Sequence, residues 1–198
     1  MAARKKTATT KTAAKKATSK KTASKKSTGK RTTSGAPTDA IALLRADHKA
    51  VKALFDQYEK TRSEDRKGAL AEQICKELTV HAQIEEEIFY PAARNVMRQE
   101  DLLDEAAVEH NSVKWLIAQI KDASVGDDQF DAKVKVLCEY VDHHVKEEQN
   151  EMFPQVKKTK LDLRALGEQL QARKMELMQA DGDSAGLMAR MTRGMGLS

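Results

Sequence analysis

The sequence predicts an all-α protein: an up-down four-helix bundle, followed by an extra C-terminal helix and preceded by a disordered basic N-terminal arm. Apolar residues recur every three or four positions from residue 39 to about 179, which is the spacing of one helical face. The 198-residue chain has 9 Gly and 3 Pro, too few for a turn-rich β fold. The central part of the chain also repeats itself after 62–63 residues.

The N-terminal arm, residues 1–36, is a low-complexity segment. A Lys-rich unit of five residues recurs in it from Lys15 to Ser34. Between Met1 and Pro37 there is no Leu, Ile, Val or Phe, so nothing can be buried to offset the loss of chain entropy. Disorder is therefore expected. Because an apolar face is also missing, a mitochondrial presequence is disfavoured.

Charge is divided unevenly between the arm and the rest of the chain. Residues 1–39 hold 12 of the 35 Lys and Arg residues and one of the 30 acidic residues, a balance of +11 that leaves −6 on the remainder. Lys pairs without aromatic residues favour counterion release on DNA over base readout. By composition the arm resembles the tails of linker-histone-like proteins. The alternatives are a purely solubilising tail and, with less support, binding to anionic lipid.

Five helices are predicted after Pro37. Thr38 or Asp39 is the expected N-cap of the first. The second should bend or end near Pro91, and the fourth should be disturbed near Pro154, because proline removes a backbone donor. The expected helices cover about 39–61, 64–95, 100–124, 128–156 and 160–179. The corresponding segments are the arm 1–36, the bundle 37–158, an additional amphipathic helix 159–180 and a flexible tail 181–198.

The repeat indicates that the bundle is built from two helical hairpins of the same design. The segment Asp47–Phe55 matches Glu109–Ile117, 62 residues later. A His-x-x-x-Glu pair that begins at His81 occurs again 63 residues later at His144, each pair preceding a proline. Short connections between such helices make neighbours antiparallel.

Polar residues interrupt the apolar stripe of each bundle helix. The four stripes are Ile41, Leu44, His48, Val51 and Phe55; Ile74, Leu78, His81, Glu85, Ile88 and Ala92; Leu103, Ala107, His110, Val113 and Ile117; and Val134, Leu137, Val141, His144, Glu148 and Met152. Four histidines and two glutamates thus occupy core positions. A buried carboxylate without a partner is costly or takes up a proton, so a cation between these six residues is expected.

The ligand types indicate which cation. The i, i+4 spacing places His81 and Glu85 side by side on their helix. Imidazoles supply terminal nitrogen ligands, and carboxylates have two oxygens that can bridge two ions. Mixed nitrogen and oxygen ligands in this number suit iron, or manganese, better than a structural zinc site. The alternative is a polar core network without metal.

The ordered set His48, His81-x-x-x-Glu85, His110 and His144-x-x-x-Glu148 resembles a hemerythrin-like (HHE cation-binding) domain over residues 39 to about 156. The endings Phe89-Tyr90-Pro91 and Met152-Phe153-Pro154 belong to the same pattern. The resemblance implies two irons with oxo or hydroxo and carboxylate bridges, and binding of O2, NO or peroxide. Oxygen carriers of the family have a fifth histidine where this chain has Lys114, and an aspartate where it has Glu148, which disfavours reversible O2 transport.

The sequence therefore predicts a non-haem, di-iron metal-binding protein that binds or responds to O2, NO, peroxide or iron and contacts DNA through residues 1–36. The alternatives are a di-iron oxidase or peroxidase-like enzyme and a nucleoid-associated structural protein.

No apolar run approaches the roughly 20 residues that span a bilayer. Two cysteines, Cys75 and Cys138, are too few for a disulfide framework, so a reduced, cytoplasmic location is expected, with association with the nucleoid as a further option.

Several residues near the six are given lesser roles. His143 is expected at the rim, rotated about 100° from His144. Tyr140 is expected to pack, with a hydrogen bond to the ligands as the alternative. Cys75 and Cys138 are expected to be apolar fillers, with redox chemistry as the alternative. Four glutamates are expected to be solvated, unless one completes a coordination sphere: Glu86, Glu87, Glu147 and Glu151.

Overall fold

A computed structural model describes residues 39–98 and 100–194. The helices are α1 Ala40–Lys60, α2 Glu64–Ile84, α3 Tyr90–Arg94, α4 Asp101–Lys121, α5 Phe130–Glu147, α6 Phe153–Val156 and α7 Leu163–Gly194. The described residues contain no strand, which confirms the predicted all-α class. Within these ranges no helix combines the length and apolar character needed to cross a bilayer. The arm predicted over residues 1–36 lies outside the described residues.

Two helical hairpins form the bundle. Helices α1 and α2 pack together as the first hairpin, and α4 and α5 pack together as the second. Of the two N-caps considered, Asp39 is the one observed, because its carboxylate accepts the backbone N–H of Ala42 at 2.8 Å. At the far end, Asp131 accepts hydrogen bonds from Tyr58 and Lys67 and so joins the two hairpins.

A π-helical turn precedes each of the two prolines in the bundle. The turns Glu85–Phe89 and Glu148–Met152 separate α2 from α3 and α5 from α6. Each is closed by a backbone hydrogen bond that spans five residues, from Tyr90 to Glu85 and from Phe153 to Glu148. Proline cannot donate to the normal helical ladder, so a change of hydrogen bonding here has a local cause.

The extra residue of the π turn shifts the buried face of the helix that follows. The predicted stripe continued through Ile88 and Ala92, but both are only partly buried. Phe89 and Ala93 are fully buried in their place. A second correction concerns α4, where Ala106 is buried and the predicted Ala107 is exposed.

The apolar core is divided into two clusters. One lies toward the loops after α1 and α4 and contains Phe55, Leu78 and Phe130. The other lies toward α3, α6 and α7 and contains Phe89 and Phe153. The six predicted ligand residues belong to neither cluster and form a polar layer of the bundle.

Helix α7 packs against α1 and α2. Leu166 and Leu170 are buried in the second apolar cluster. Gly167 permits the close approach, because a Cβ there would lie 2.7 Å from the backbone of Asp39 and Ala40. The helix begins later than the predicted residue 160 and ends at Gly194, beyond the predicted end near residue 179. No proline follows Pro154, so no residue is obliged to break it.

The two cysteines are separate free thiols. Cys75 is buried and Cys138 is half-buried. Burial raises the pKa of each thiol to about 11. Both are therefore neutral at physiological pH, which suits the packing role expected from the sequence.

Candidate metal centre

The structure brings all six predicted ligand residues together in the middle of the bundle, and we call this group the His/Glu centre. Each hairpin contributes half of it, from α1 with α2 and its π turn, and from α4 with α5 and its π turn. All six side chains are almost completely buried. Their exposed fractions are His48 6%, His81 6%, Glu85 0%, His110 3%, His144 5% and Glu148 1%.

The His/Glu centre contains two groups of potential ligand atoms. The first group is His48, His81, Glu85 and Glu148, and the second is Glu85, His110 and His144. Within each group the candidate ligand atoms lie within 4.8 Å of one another. Glu85 is common to both: its Oε1 lies 3.3 Å from His81 Nε2, and its Oε2 lies 3.5 Å from His110 Nε2. This carboxylate is therefore placed to bridge two ions.

Glu148 is placed differently. Its Oε2 lies 3.2 Å from His48 Nε2 and 3.7 Å from His144 Nε2, so a single oxygen faces both groups. Its Oε1 accepts a hydrogen bond from the hydroxyl of Tyr90 at 3.0 Å. The two glutamates thus differ, because Glu85 presents one oxygen to each group and Glu148 presents a single oxygen to both.

The spacing of the imidazole nitrogens fits cation binding. His48 Nε2 lies 2.9 Å from His81 Nε2, and His110 Nε2 lies 3.2 Å from His144 Nε2. Ligands about 2.0–2.2 Å from one ion, at tetrahedral or octahedral angles, lie about 3.0–3.5 Å apart. The nitrogens of each histidine pair are therefore close enough to bind a shared cation.

Two buried carboxylate oxygens lack hydrogen-bond partners. Within the described part of the chain, Glu85 Oε1 and Glu148 Oε2 accept no hydrogen bond. Each nevertheless faces an imidazole nitrogen at 3.2–3.3 Å. A buried, unpaired carboxylate is unfavourable by several kcal/mol. Since both orphaned atoms face imidazole nitrogens of the same group of potential ligands, the donor set fits a bound cation.

Four outer groups hold the imidazoles from behind. Each contacts an Nδ1 atom and so orients its ring with Nε2 inward. The three carboxylates among them accept the Nδ1 proton, which fixes the tautomer that binds metal through Nε2. The fourth group, Gln149, faces His48 Nδ1 with its amide nitrogen, which is a donor. The pairs are His48 with Gln149 at 3.1 Å, His81 with Asp47 at 3.5 Å, His110 with Glu86 at 2.9 Å and His144 with Glu109 at 2.8 Å. The outer groups are related by the sequence repeat, since Asp47 matches Glu109 and Glu86 matches Gln149.

Asp47, Glu109 and Gln149 were not predicted as site residues, and Glu86 was expected to be solvated unless it completed a coordination sphere. In the structure Glu86 accepts hydrogen bonds from Lys114 as well as contacting His110. The signal that could have found them is their position in the repeat. Two stand directly before a ligand histidine, and two stand directly after a ligand glutamate.

Electrostatics in the His/Glu centre reflect strong attraction between the imidazoles and the carboxylates. Burial alone would raise the pKa of Glu85, but His81, His110 and His144 hold that pKa well below its usual value. Burial opposes the charged form of His81, yet the attraction of Glu85 and Asp47 raises its pKa to about 10. The pKa of His110 is lowered, chiefly by burial. Positive charge between the carboxylates is therefore favourable, from a proton or from a metal ion.

Tyr90 adds an aromatic hydroxyl that the sequence analysis did not assign to the site. Besides donating to Glu148, its oxygen lies 3.3 Å from His110 Nε2 and 3.5 Å from His144 Nε2. The matching residue of the other hairpin, Phe153, stacks on His48 with ring centroids 6.0 Å apart. The endings Phe89-Tyr90-Pro91 and Met152-Phe153-Pro154 differ in the sequence by this hydroxyl, because Tyr90 stands where the other ending has Phe153. Tyr140, for which a hydrogen bond had been considered, is 48% exposed.

Lys114 and His143 lie outside the His/Glu centre. Lys114, where oxygen carriers have a histidine, donates to Glu86 at 2.7 Å and 2.5 Å. Its ammonium therefore belongs to the surroundings of His110. His143 is 65% exposed and faces Glu109 at 3.4 Å and Glu147 at 3.2 Å, as expected for a rim residue.

A small enclosed cavity of about 20 Å³ adjoins the four histidines. Its other walls are apolar. They consist of Val51, Leu78, Ala82, Val113, Val141 and Val145. A volume of this size holds about one water-sized molecule. The cavity can therefore accept a small molecule beside the histidines and excludes an organic substrate of ordinary size.

Comparisons with known proteins agree with this architecture. The curated DNA nickase of Nostoc sp. (strain PCC 7120 / SAG 25.82 / UTEX 2576) is 31% identical over 115 residues, which are 58% of this chain and 32% of the nickase. The chain thus spans about a third of that relative's length. A hemerythrin HHE cation binding domain-containing protein from Mycobacterium kansasii has a similar crystal structure, with a TM-score of 0.62 and 25% identity over 72% of this chain and 88% of that one.

The family assignment rests on the match that covers the bundle. The model of the hemerythrin HHE cation binding domain matches residues 39–156, which include every residue of the His/Glu centre and most of the described fold. The chain belongs to the hemerythrin HHE cation-binding domain family.

Proposed function

We propose that the chain is a non-haem iron protein whose His/Glu centre binds two irons. His48 and His81 would hold one iron, and His110 and His144 would hold the other. Glu85 and Glu148 would supply carboxylates to both ions. The observation that carries the proposal is the pair of orphaned, fully buried carboxylate oxygens that face two close imidazole pairs.

The ligand that reaches the irons is a small molecule such as O2, NO or peroxide. The support is the cavity of about 20 Å³, which has apolar walls and the four histidines at one side. Bound iron supplies a redox-active centre that accepts such ligands. The protein supplies the dry surroundings and, through Tyr90, a hydroxyl that donates a hydrogen bond within the centre. This arrangement favours sensing or handling of a small oxidant or gas over O2 transport.

Metal analysis of the full chain purified from iron-replete cells tests this proposal. We expect about two irons per chain, with the near-ultraviolet absorption of an oxo-bridged pair. Stoichiometric zinc without iron would contradict it. Rapid turnover of peroxide by the iron-loaded chain would favour the oxidase or peroxidase-like alternative over binding alone.

Tyr90→Phe is predicted to change the environment of the irons without removing them. The substitution deletes the hydroxyl that donates to Glu148 Oε1 at 3.0 Å and to Glu85 Oε2 at 3.5 Å, so both buried oxygens lose that donor. We expect a stability loss of about 1–3 kcal/mol in the metal-free chain, measured by urea unfolding. In the iron-loaded chain we expect about two irons with a shifted visible and near-ultraviolet spectrum.

Tyr58→Phe is the matched control for this substitution. Tyr58 also donates to a carboxylate, that of Asp131 at 2.6 Å, but at the far end of the bundle. It should lower stability while the spectrum stays that of the unmodified protein. An unchanged spectrum in Tyr90→Phe, or an equal shift in Tyr58→Phe, would show that Tyr90 does not act on the irons.

A second function, contact with DNA, is proposed for residues 1–36 in a cytoplasmic, nucleoid-associated setting. It is supported by the balance of +11 over residues 1–39 against −6 elsewhere. The name of the Nostoc relative, DNA nickase, adds a hint toward nucleic acid. A purely structural, nucleoid-compacting role is the alternative, and it would require a bundle that binds no metal.

A further inference from the structure

Helix α7 reaches the surroundings of the His/Glu centre through one lysine. Lys174 Nζ donates to Asp47 Oδ1 at 2.6 Å. The other oxygen of the same carboxylate, Oδ2, faces His81 Nδ1 at 3.5 Å. The side chains of Lys174 and Asp47 are 19% and 13% exposed, so both are largely shielded from water. A continuous polar chain therefore runs from α7 through Asp47 to a proposed iron ligand.

The position of Lys174 is fixed by contacts that α7 makes in the residues just before it. Arg173 forms two hydrogen bonds with Glu87, at 2.7 Å and 3.2 Å. Toward the start of the helix, Leu170 is fully buried, and Gly167 lies against the backbone of α1. The ammonium of Lys174 is thus held in place by the packing of its helix.

Asp47 depends on this ammonium. The Asp47 side chain is only 13% exposed, and the ammonium of Lys174 donates to its Oδ1 at 2.6 Å. An ionised carboxylate behind Nδ1 keeps the ring of His81 oriented with Nε2 toward the centre. Without Lys174 the carboxylate would lose a charged partner in a shielded position.

The two hairpins differ at this point. The residue that matches Asp47 is Glu109, which contacts His144 Nδ1 at 2.8 Å and has the largely exposed His143 on its other side. The family match ends at residue 156, before α7 begins at Leu163. The lysine contact is therefore an addition to the matched domain, and it acts on the half of the centre that contains His48 and His81.

We propose that Lys174 is a positioning residue of the metal centre, which orients His81 through Asp47 and slows loss of the iron held by His48 and His81. The inference rests on the proposed function, because it concerns the irons of the same centre. It adds a role for the C-terminal helix. When α7 is docked, the iron held by His48 and His81 is retained. When α7 is displaced, that iron is released more easily.

The test uses Lys174→Met in the full, iron-loaded chain, since methionine keeps the apolar stem and removes the charge. We expect about 10–100-fold faster release of one of the two irons to a strong chelator. Release of the other iron should keep its original rate. Unchanged release of both irons would overturn the proposal.

Two variants on α7 serve as controls. Arg164→Met removes an exposed charge whose partner, among the residues that the structure describes, is Glu168 on the same helix. Arg173→Met weakens the docking of α7 but keeps the ammonium that reaches Asp47. Arg164→Met should release iron at the original rate, and Arg173→Met should accelerate release by less than Lys174→Met does. Equal acceleration in Arg173→Met and Lys174→Met would show that docking of α7 as a whole retains the iron, and Lys174 would not be a positioning residue.

A double-variant cycle tests the route through Asp47. Asp47→Asn should accelerate release of the same iron, and the Lys174→Met/Asp47→Asn chain should be no faster than Asp47→Asn alone. If the two substitutions multiplied each other's effect on the release rate in the double variant, the proposed route through Asp47 would be wrong. Absence of iron from the unmodified chain would refute the proposed function itself, an outcome distinct from iron that is bound but indifferent to Lys174.

Discussion

Glu85→Ala is expected to eliminate iron binding at both positions, from about two irons per chain to none that copurifies. Glu85 belongs to both groups of ligand atoms, with one oxygen toward His81 and the other toward His110. Its removal takes an anionic ligand from each ion at once. Plasma emission spectrometry of protein purified from iron-replete cells measures the outcome.

Glu151→Ala is the matched control, because Glu151 is an exposed carboxylate of the π turn that begins at Glu148. It should retain about two irons. Far-ultraviolet circular dichroism should show that both variants remain helical. A folded Glu85→Ala protein with its full iron content would mean that Glu85 is not a ligand, and the proposed centre would have to be abandoned.

The six residues of the His/Glu centre were accessible to sequence reasoning because they break an apolar pattern. His48 and His110 occupy stripe positions where an aliphatic residue is expected, and the repeat places them in equivalent helices. Periodicity predicts which face of a helix is buried. When several polar residues share buried faces at similar depth, their convergence follows, and all six indeed meet in the structure.

Contacts between side chains of different helices were harder to predict from the sequence. Asp47 stands next to His48 in the chain but contacts His81 on the neighbouring helix. Lys174 reaches the same carboxylate from 127 residues away. Periodicity tells which way a side chain points but not which facing side chain it meets. Identifying the outer groups therefore needs the three-dimensional structure, or a closer comparison of the two halves of the repeat.

The π turns explain the other differences. A regular helix of 3.6 residues per turn that continues through Pro91 would bury Ile88 and Ala92, as predicted from the sequence. One extra residue per turn moved Phe89 and Ala93 there instead. It also sets the direction of Tyr90, whose hydroxyl enters the centre. Pro91 predicts where the helix becomes irregular, but it does not predict that a π turn forms there.

Full-length protein is expected to bind duplex DNA with an affinity that falls steeply as salt rises. The arm carries 12 Lys and Arg residues, without an aromatic residue to stack on bases. If about 6–10 of them neutralise phosphates, affinity should fall by about 10³–10⁵-fold between 50 and 200 mM salt. Fluorescence anisotropy with a labelled duplex, measured at several salt concentrations, gives the slope directly.

Variants of the arm separate charge from sequence. Deleting residues 1–36 should abolish binding, because the remaining chain is acidic overall. Permuting the order of those residues should leave the affinity unchanged, since counterion release depends on charge rather than on base contacts. Affinity that is insensitive to salt, or that survives in residues 37–198, would exclude the arm as the DNA contact. Crossing this deletion with Glu85→Ala shows whether the activities are separable: the metal-free chain should still bind DNA, and the armless chain should still hold its irons.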